Sequence, residues 1–252
     1  MIGDLRAALA MLTRLPVGQP GVGTSGGRAF GLVGALVGLA GFVPLVWLGA
    51  VVPPIAAVLA VGAMAFVSGA LHLDGLADTA DALLAPGRLE AERARKDPSI
   101  GVGGAVALIL IVGLDLAALA LLTERSGALV AGLACVVGGA GSRVAPIIVA
   151  RSARSWAKAD GLGAWFSRQT TWLDAAVAGS FAGAFAVAAA VLSASPGPAA
   201  GGALGLLIGV AVGLVVVRRR NQLDGDSLGA AVELSFAASL ACTATLVRWP
   251  VG

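Results

Sequence analysis

His72-Leu73-Asp74-Gly75-Leu76-Ala77-Asp78-Thr79-Ala80-Asp81 decides the reading of this chain. Its three carboxylates, Asp74, Asp78 and Asp81, fall four and then three residues apart. At about 100° per residue that spacing returns to one face of a helix. Three negative charges on one stripe repel one another unless a cation lies between them. Immediately before them runs Ile55 to Leu71, apolar or small throughout, so the acidic face begins where a membrane helix would end. That is a poor place for an idle acidic cluster and a good place for a metal ion.

The surrounding composition is that of a membrane protein. Of 252 residues, 58% are hydrophobic and only 12% charged, half of what a soluble domain usually carries. Mean hydropathy is +0.93. The 37 glycines suit close helix packing in lipid, where small residues let backbones approach. The net charge of +3 is no nucleic-acid signature, because the basic residues sit in short loops and at helix ends. Cys135 and Cys242 lie in apolar segments without metal-ligand spacing and read as packing residues. Met1 to Leu15 lacks the clean apolar core of a cleavable signal peptide and is expected to remain.

Spans of roughly 20 apolar residues predict an all-α, polytopic helical bundle with about seven transmembrane helices, forming a single domain over residues 1–252. The predicted spans are about Ala29 to Val52, Pro54 to Leu73, Gly103 to Leu122, Leu129 to Ala150, Trp172 to Leu192, Gly201 to Val217 and Leu228 to Val247. Leu5 to Leu15 reads as a short amphipathic helix at the interface. Basic residues are concentrated in alternate loops: Arg6, Arg14 and Arg28; Arg88 to Lys96; Arg151 to Arg168; Arg218 to Arg220. The positive-inside rule then places the N-terminus and the acidic cluster on the cytoplasmic side.

Oxygen-only ligands suit a hard cation, and Mg²⁺ is the usual partner of phosphates. Asp224-Gly225-Asp226-Ser227-Leu228-Gly229-Ala230 is the second constellation. Here Ser227 is expected as helix N-cap with backbone amides open to an anion, and Asp226 as a further metal ligand. Glu233 lies deeper in that helix, either functional or paired with Arg143. Arg143 itself, after Gly141-Ser142, needs a partner: a phosphate or one of the aspartates. Lys96 and Asp97, before the glycine-rich start of the third span, could meet a phosphate. His72 could act as general base or hydrogen-bond a neighbouring helix. Asp115, deep in the third span, suggests only an interhelical hydrogen bond.

Taken together, these motifs resemble the cobalamin synthase (adenosylcobinamide-GDP ribazoletransferase) family. The matching pieces are Leu12-Thr13-Arg14-Leu15-Pro16, Phe30 with Leu32-Val33-Gly34, the whole of His72 to Asp81, and Asp97 with Ile100-Gly101. Ser142-Arg143, Gly161-Leu162-Gly163 and Gly225 to Ala230 complete the order. Two positions depart from the family pattern: Gly31 replaces a proline, and Asp97-Pro98-Ser99 lacks an arginine.

The resemblance implies an enzyme of the bacterial cytoplasmic membrane with its active site facing the cytoplasm. Such an enzyme joins α-ribazole, or its 5′-phosphate, to adenosylcobinamide-GDP with Mg²⁺ and releases GMP. It implies Asp74, Asp78, Asp81 and Asp226 as Mg²⁺ ligands, Arg143 on the pyrophosphate, and His72 or a metal-bound aspartate such as Asp78 as proton acceptor. Arg14, Lys96, Asp97, Ser227 and Glu233 are the further substrate-binding candidates, and an oligomer is possible. A cation or proton transporter is the competing class, since it too would explain Asp115 and Glu233.

Overall fold

In the computed structural model, residues 1–18, 23–87, 99–157 and 160–247 are described, and their regular structure is helical. A short amphipathic helix, α1 (Ile2–Leu12), is followed by α2 (Phe30–Leu48), α3 (Pro53–Ser68), α4 (Leu71–Leu84) and α5 (Val102–Ser126). Next come α6 (Ala128–Ser142), α7 (Ala145–Ser152), α8 (Leu162–Gln169), α9 (Trp172–Leu192), α10 (Gly197–Arg220) and α11 (Gly225–Leu246). Among the described residues, six spans are long and apolar enough to cross a membrane, counting α6 and α7 as one, and α3 with α4 makes a seventh if a bent pair counts. The protein is a polytopic helical membrane bundle.

Glycine spacing explains the tightest contact. Gly201, Gly205, Gly209 and Gly213 recur every fourth residue on α10 and meet Thr243, Ser239, Ser235 and Ala231 of antiparallel α11. A Cβ on Gly205 would lie 2.6 Å from the Ser239 Cα, and one on Gly209 2.8 Å from the Ser235 Cα. Only glycine permits that approach, which is how membrane helices gain packing without a hydrophobic driving force. Gly34 of α2 and Gly139 of α6 meet in the same way, each backbone lying where the other's Cβ would be.

The α6–α7 span is the centre of the bundle, with 89% of its most apolar stretch buried, whereas α9 at 17% and α5 at 22% form its lipid-facing edges. Val106, Ile109 and Leu110 on α5 and Val187, Val191 and Leu192 on α9 point outward, as lipid contact requires. One core gathers Phe30, Ile147, Phe166 and Leu223, and a second gathers Leu45, Leu119, Leu122 and Leu240. Outside the spans, the Thr24 hydroxyl donates to Asp4 Oδ1 at 2.7 Å and holds that carboxyl below its usual range. This bond ties the loop before α2 to the first turn of α1.

Several helix ends depart from the sequence expectation: α2 stops at Leu48, four residues before Val52, and α5 runs on to Ser126, four residues past Leu122. The second span stops at Ser68 instead of continuing to Leu73, and α4 leaves it at 92°. The span expected over Leu129 to Ala150 breaks at Arg143 and Val144, where Pro146 on the first turn of α7 has no N–H for the Ser142 carbonyl. The sixth begins four residues early, at Gly197, and continues through Arg220. The seventh begins at Gly225, three residues before Leu228.

Candidate functional site

The bend between α3 and α4 orients the acidic helix. Gly69 and Ala70 both adopt left-handed backbone, φ 65° and 55°. The Ala70 amide donates to the Ala65 carbonyl at 2.8 Å, a Schellman-type ending. Gly69 meets two demands here: its positive φ, and the Arg14 side chain lying where a Cβ would project. The Arg14 backbone amide also donates to the Val67 carbonyl at 2.8 Å. Arg14, expected at the substrate, therefore braces the hinge.

Beyond the hinge, α4 buries His72, Gly75, Leu76, Ala77 and Thr79, leaving Asp74 exposed and Asp78 and Asp81 half-buried. Gly75 packs against the backbone of Asp226 and Gly229 at the start of α11. That contact brings Asp74, His72 and Asp226 to one cavity of about 120 Å³, whose walls include Leu12, Phe30, Pro146, Leu162 and Phe166. Phe30 and Phe166 stack with ring centroids 5.5 Å apart, giving one side of the cavity a stiff apolar wall.

The aspartate stripe divides along its length. Asp81 Oδ2 accepts the Gly101 amide and Oδ1 the Gly104 amide, both at 2.9 Å. It thus caps the first turn of α5, where a carboxylate satisfies orphan N–H groups and opposes the helix dipole. Asp81 was expected as a metal ligand, and its two oxygens are engaged with another helix instead. Asp78 stands one turn after Asp74 on the same face of α4.

The start of α11 is built by a residue the motif reading passed over. Asp224, not Ser227, is the N-cap: Asp224 Oδ1 accepts the Ser227 amide at 3.0 Å, and the Ser227 hydroxyl accepts the Asp224 amide at 3.2 Å. Both residue types cap well and stand three apart, so the capping box moves the helix start to Gly225. Ser227 is fully buried in this box and does not line the cavity. Arg220, ending α10, donates through both terminal nitrogens to the two Asp224 oxygens at 3.1 and 2.9 Å. It also reaches the Thr79 hydroxyl at 3.5 Å. This clamp ties the ends of α10, α11 and α4 together and fixes Asp226 relative to Asp74.

Arg143 and Glu233 lie elsewhere. Both line a second, smaller cavity with Asp115, behind His72, and Arg143 is buried at 5% exposure with Nη1 donating to the Ser142 hydroxyl at 2.9 Å. The arginine expected on the pyrophosphate faces carboxylates inside the bundle, and Glu233 is its neighbour there. Lys96 and Asp97 lie outside the described residues.

For a hard cation, the donor set is right in kind: carboxylate oxygens from α4 and α11 in one cavity. Among the described residues, no three His, Cys, Asp or Glu side chains converge as a complete metal site. Mg²⁺ seldom needs one, since it keeps waters and binds through one or two carboxylates plus substrate phosphates. Asp74 and Asp226 fit that requirement.

The sequence profile described as cobalamin-5-phosphate synthase matches residues 4–244. An adenosylcobinamide-GDP ribazoletransferase of Brucella anthropi is 42% identical over 154 residues, 57% of this chain and 58% of that protein. One from Brucella canis is 36% identical over 178 residues, 65% of this chain and 67% of that protein. The chain thus aligns with somewhat under two thirds of the length of the first of these relatives. No solved structure matches it. With the profile covering nearly the whole chain, and with His72, Asp74 and Asp226 at one cavity, the chain belongs to the cobalamin-5-phosphate synthase family.

Proposed function

We propose that this protein joins α-ribazole, or its 5′-phosphate, to adenosylcobinamide-GDP, forming adenosylcobalamin or its phosphate and releasing GMP. One observation carries the reading: Asp74 and Asp226, more than 150 residues apart in sequence, line a single cavity with His72. In the reaction, a ribose hydroxyl oxygen bonds to the cobinamide-side phosphorus, the bond from that phosphorus to the bridging oxygen breaks, and GMP departs with the electron pair. The hydroxyl proton passes to a base.

Each residue has a part in that displacement. Asp74 and Asp226, with Asp78 one turn away, would hold Mg²⁺, which when bound neutralises phosphoryl oxygens and so lowers the barrier. His72, buried in the cavity wall, is the acceptor for the hydroxyl proton. The stacked Phe30 and Phe166 limit water at the reacting centre, which strengthens electrostatic contacts within it. Rigid placement by the Gly75–Asp226 contact and the Arg220 clamp keeps the two aspartates in register, and alignment is a large share of catalysis in phosphoryl transfer.

Charge distribution supports a site facing the cytoplasm of a bacterial inner membrane, with the N-terminus inside. Arg218 to Arg220 end α10 beside the acidic helix, so the basic and acidic groups share one end of the bundle. Family membership argues against the transporter alternative. The test is product formation in proteoliposomes supplied with adenosylcobinamide-GDP, α-ribazole and Mg²⁺. A corrinoid product carrying the ribazole, with one GMP per turnover, is expected; absence of that product would overturn the assignment.

A further inference from the structure

Behind His72 lies a group of buried ionisable side chains to which the displacement assigns no part. Asp115 of α5, Arg143 at the α6–α7 break and Glu233 of α11 line a cavity of about 30 Å³ that is otherwise largely apolar. Asp115 is 3% exposed. His72, which lines the cavity of Asp74 and Asp226, holds its Nδ1 4.0 Å from Glu233 Oε1 of this one. Three polar atoms, Asp115 Oδ1, Arg143 Nε and His72 Nδ1, are buried without a hydrogen-bond partner among the described residues.

Two physical requirements meet here. A buried polar atom without a partner costs about 1–3 kcal/mol, and a polar cavity larger than roughly 10–15 Å³ with two to four partners holds a water. Charge sets the second requirement. Two carboxylates face one guanidinium, and the other titratable groups nearby are His72 on α4 and the thiol of Cys135 on α6. With both acids ionised, the two carboxylates and the one guanidinium carry net charge −1 inside an apolar bundle, a costly state. Arg143 in the cavity wall repels a metal cation, which leaves a proton as the neutralising species.

We propose that the Asp115–Arg143–Glu233 cavity is a hydrated proton-binding site, in which a water bridges the three side chains and one carboxyl keeps its proton. Asp115 is then a positioning residue: through the water and Arg143 it holds Glu233 against Nδ1 of His72. The positioning role rests on the reading of His72 given above; the proton and the water do not.

The two parts are tested separately. Infrared spectra of the purified protein in lipid vesicles at neutral pH should show the C=O stretch of a protonated carboxylic acid. The stretch should shift in D2O and be lost in Asp115→Asn or in Glu233→Gln. No such band in the folded wild type, or a band unchanged in both variants, would overturn the proton site. Because no substrate is present, this result is independent of whether the protein makes cobalamin. For positioning, Asp115→Asn should lower kcat on the order of tenfold to a hundredfold with KM little changed, and Asp115→Glu should recover part of the loss. Wild-type kcat in a folded Asp115→Asn protein would overturn that role. If Asp115→Asn does not fold, Glu233→Gln decides in its place: a band shifted or lost and a lowered kcat are expected, and an unshifted band or a wild-type kcat overturns the corresponding part.

Discussion

Gly75 of α4 packs backbone to backbone against Asp226 of α11: a Cβ on Gly75 would lie 3.0 Å from the Asp226 carbonyl oxygen and 3.1 Å from its Cα. The two motifs that carry the acidic chemistry are thus in direct contact. Gly75→Ala should force the helices apart by a few tenths of an ångström, costing about 1–3 kcal/mol of stability. Its larger effect should be on turnover, lowered by up to about 10²-fold through misplacement of Asp226. Thermal unfolding in detergent and GMP release, measured on the same preparation, check both.

Asp81 predicts a different kind of loss from its neighbours on α4. Because it caps α5 through the Gly101 and Gly104 amides, Asp81→Ala should cost about 1 kcal/mol of stability. Its turnover should fall less than that of Asp74→Asn. Equal loss of turnover in the two variants, with unchanged melting of Asp81→Ala, would return Asp81 to the metal.

The Arg220–Asp224 clamp is a nearly buried ion pair, with side chains 8% and 10% exposed. Removing one member leaves the other uncompensated, at about 3–5 kcal/mol. Arg220→Met should therefore melt well below the wild type. Asp224→Ser keeps a capping oxygen at the α11 start while removing the charge, so the double variant Arg220→Met with Asp224→Ser should regain part of the loss. A double-mutant cycle on melting temperature measures the coupling.

Glycines on α10 and α9 should respond oppositely to one substitution. Gly205→Leu places a side chain in the α11 backbone and should abolish the folded yield. Gly183→Leu, where nothing lies within 4 Å of the added Cβ, should stay within about 0.5 kcal/mol of wild type. Monodisperse yield after detergent extraction separates the two.

How far the sequence revealed this arrangement depends on the range of the forces involved. Apolar runs specify membrane helices locally, and the spacing of Asp74, Asp78 and Asp81 read correctly as a helix face. The bend before α4 is hidden because Leu71 and Leu73 extend the apolar run past it, and Ala70 takes a left-handed conformation that alanine seldom adopts. At the α11 start two good capping residues stood three apart, and only the bond pattern selects Asp224. Asp115 of α5, Glu233 of α11 and Arg143 at the α6–α7 break come together from three separate parts of the chain. The sequence offers Glu233 as a partner for Arg143 and an interhelical hydrogen bond for Asp115, but no local pattern encodes the meeting of all three, and the resemblance alone puts Arg143 at the pyrophosphate.

The most direct measurement is a double-mutant cycle on GMP release with Asp74→Asn, Asp226→Asn and the pair combined, in membranes with Mg²⁺ and α-ribazole. If both carboxylates serve one centre, each single change should lower the rate on the order of 10²-fold or more, and the double variant should be little worse than the poorer single one. Losses that simply multiply, or a wild-type rate in either single variant, would contradict a shared site for the two aspartates.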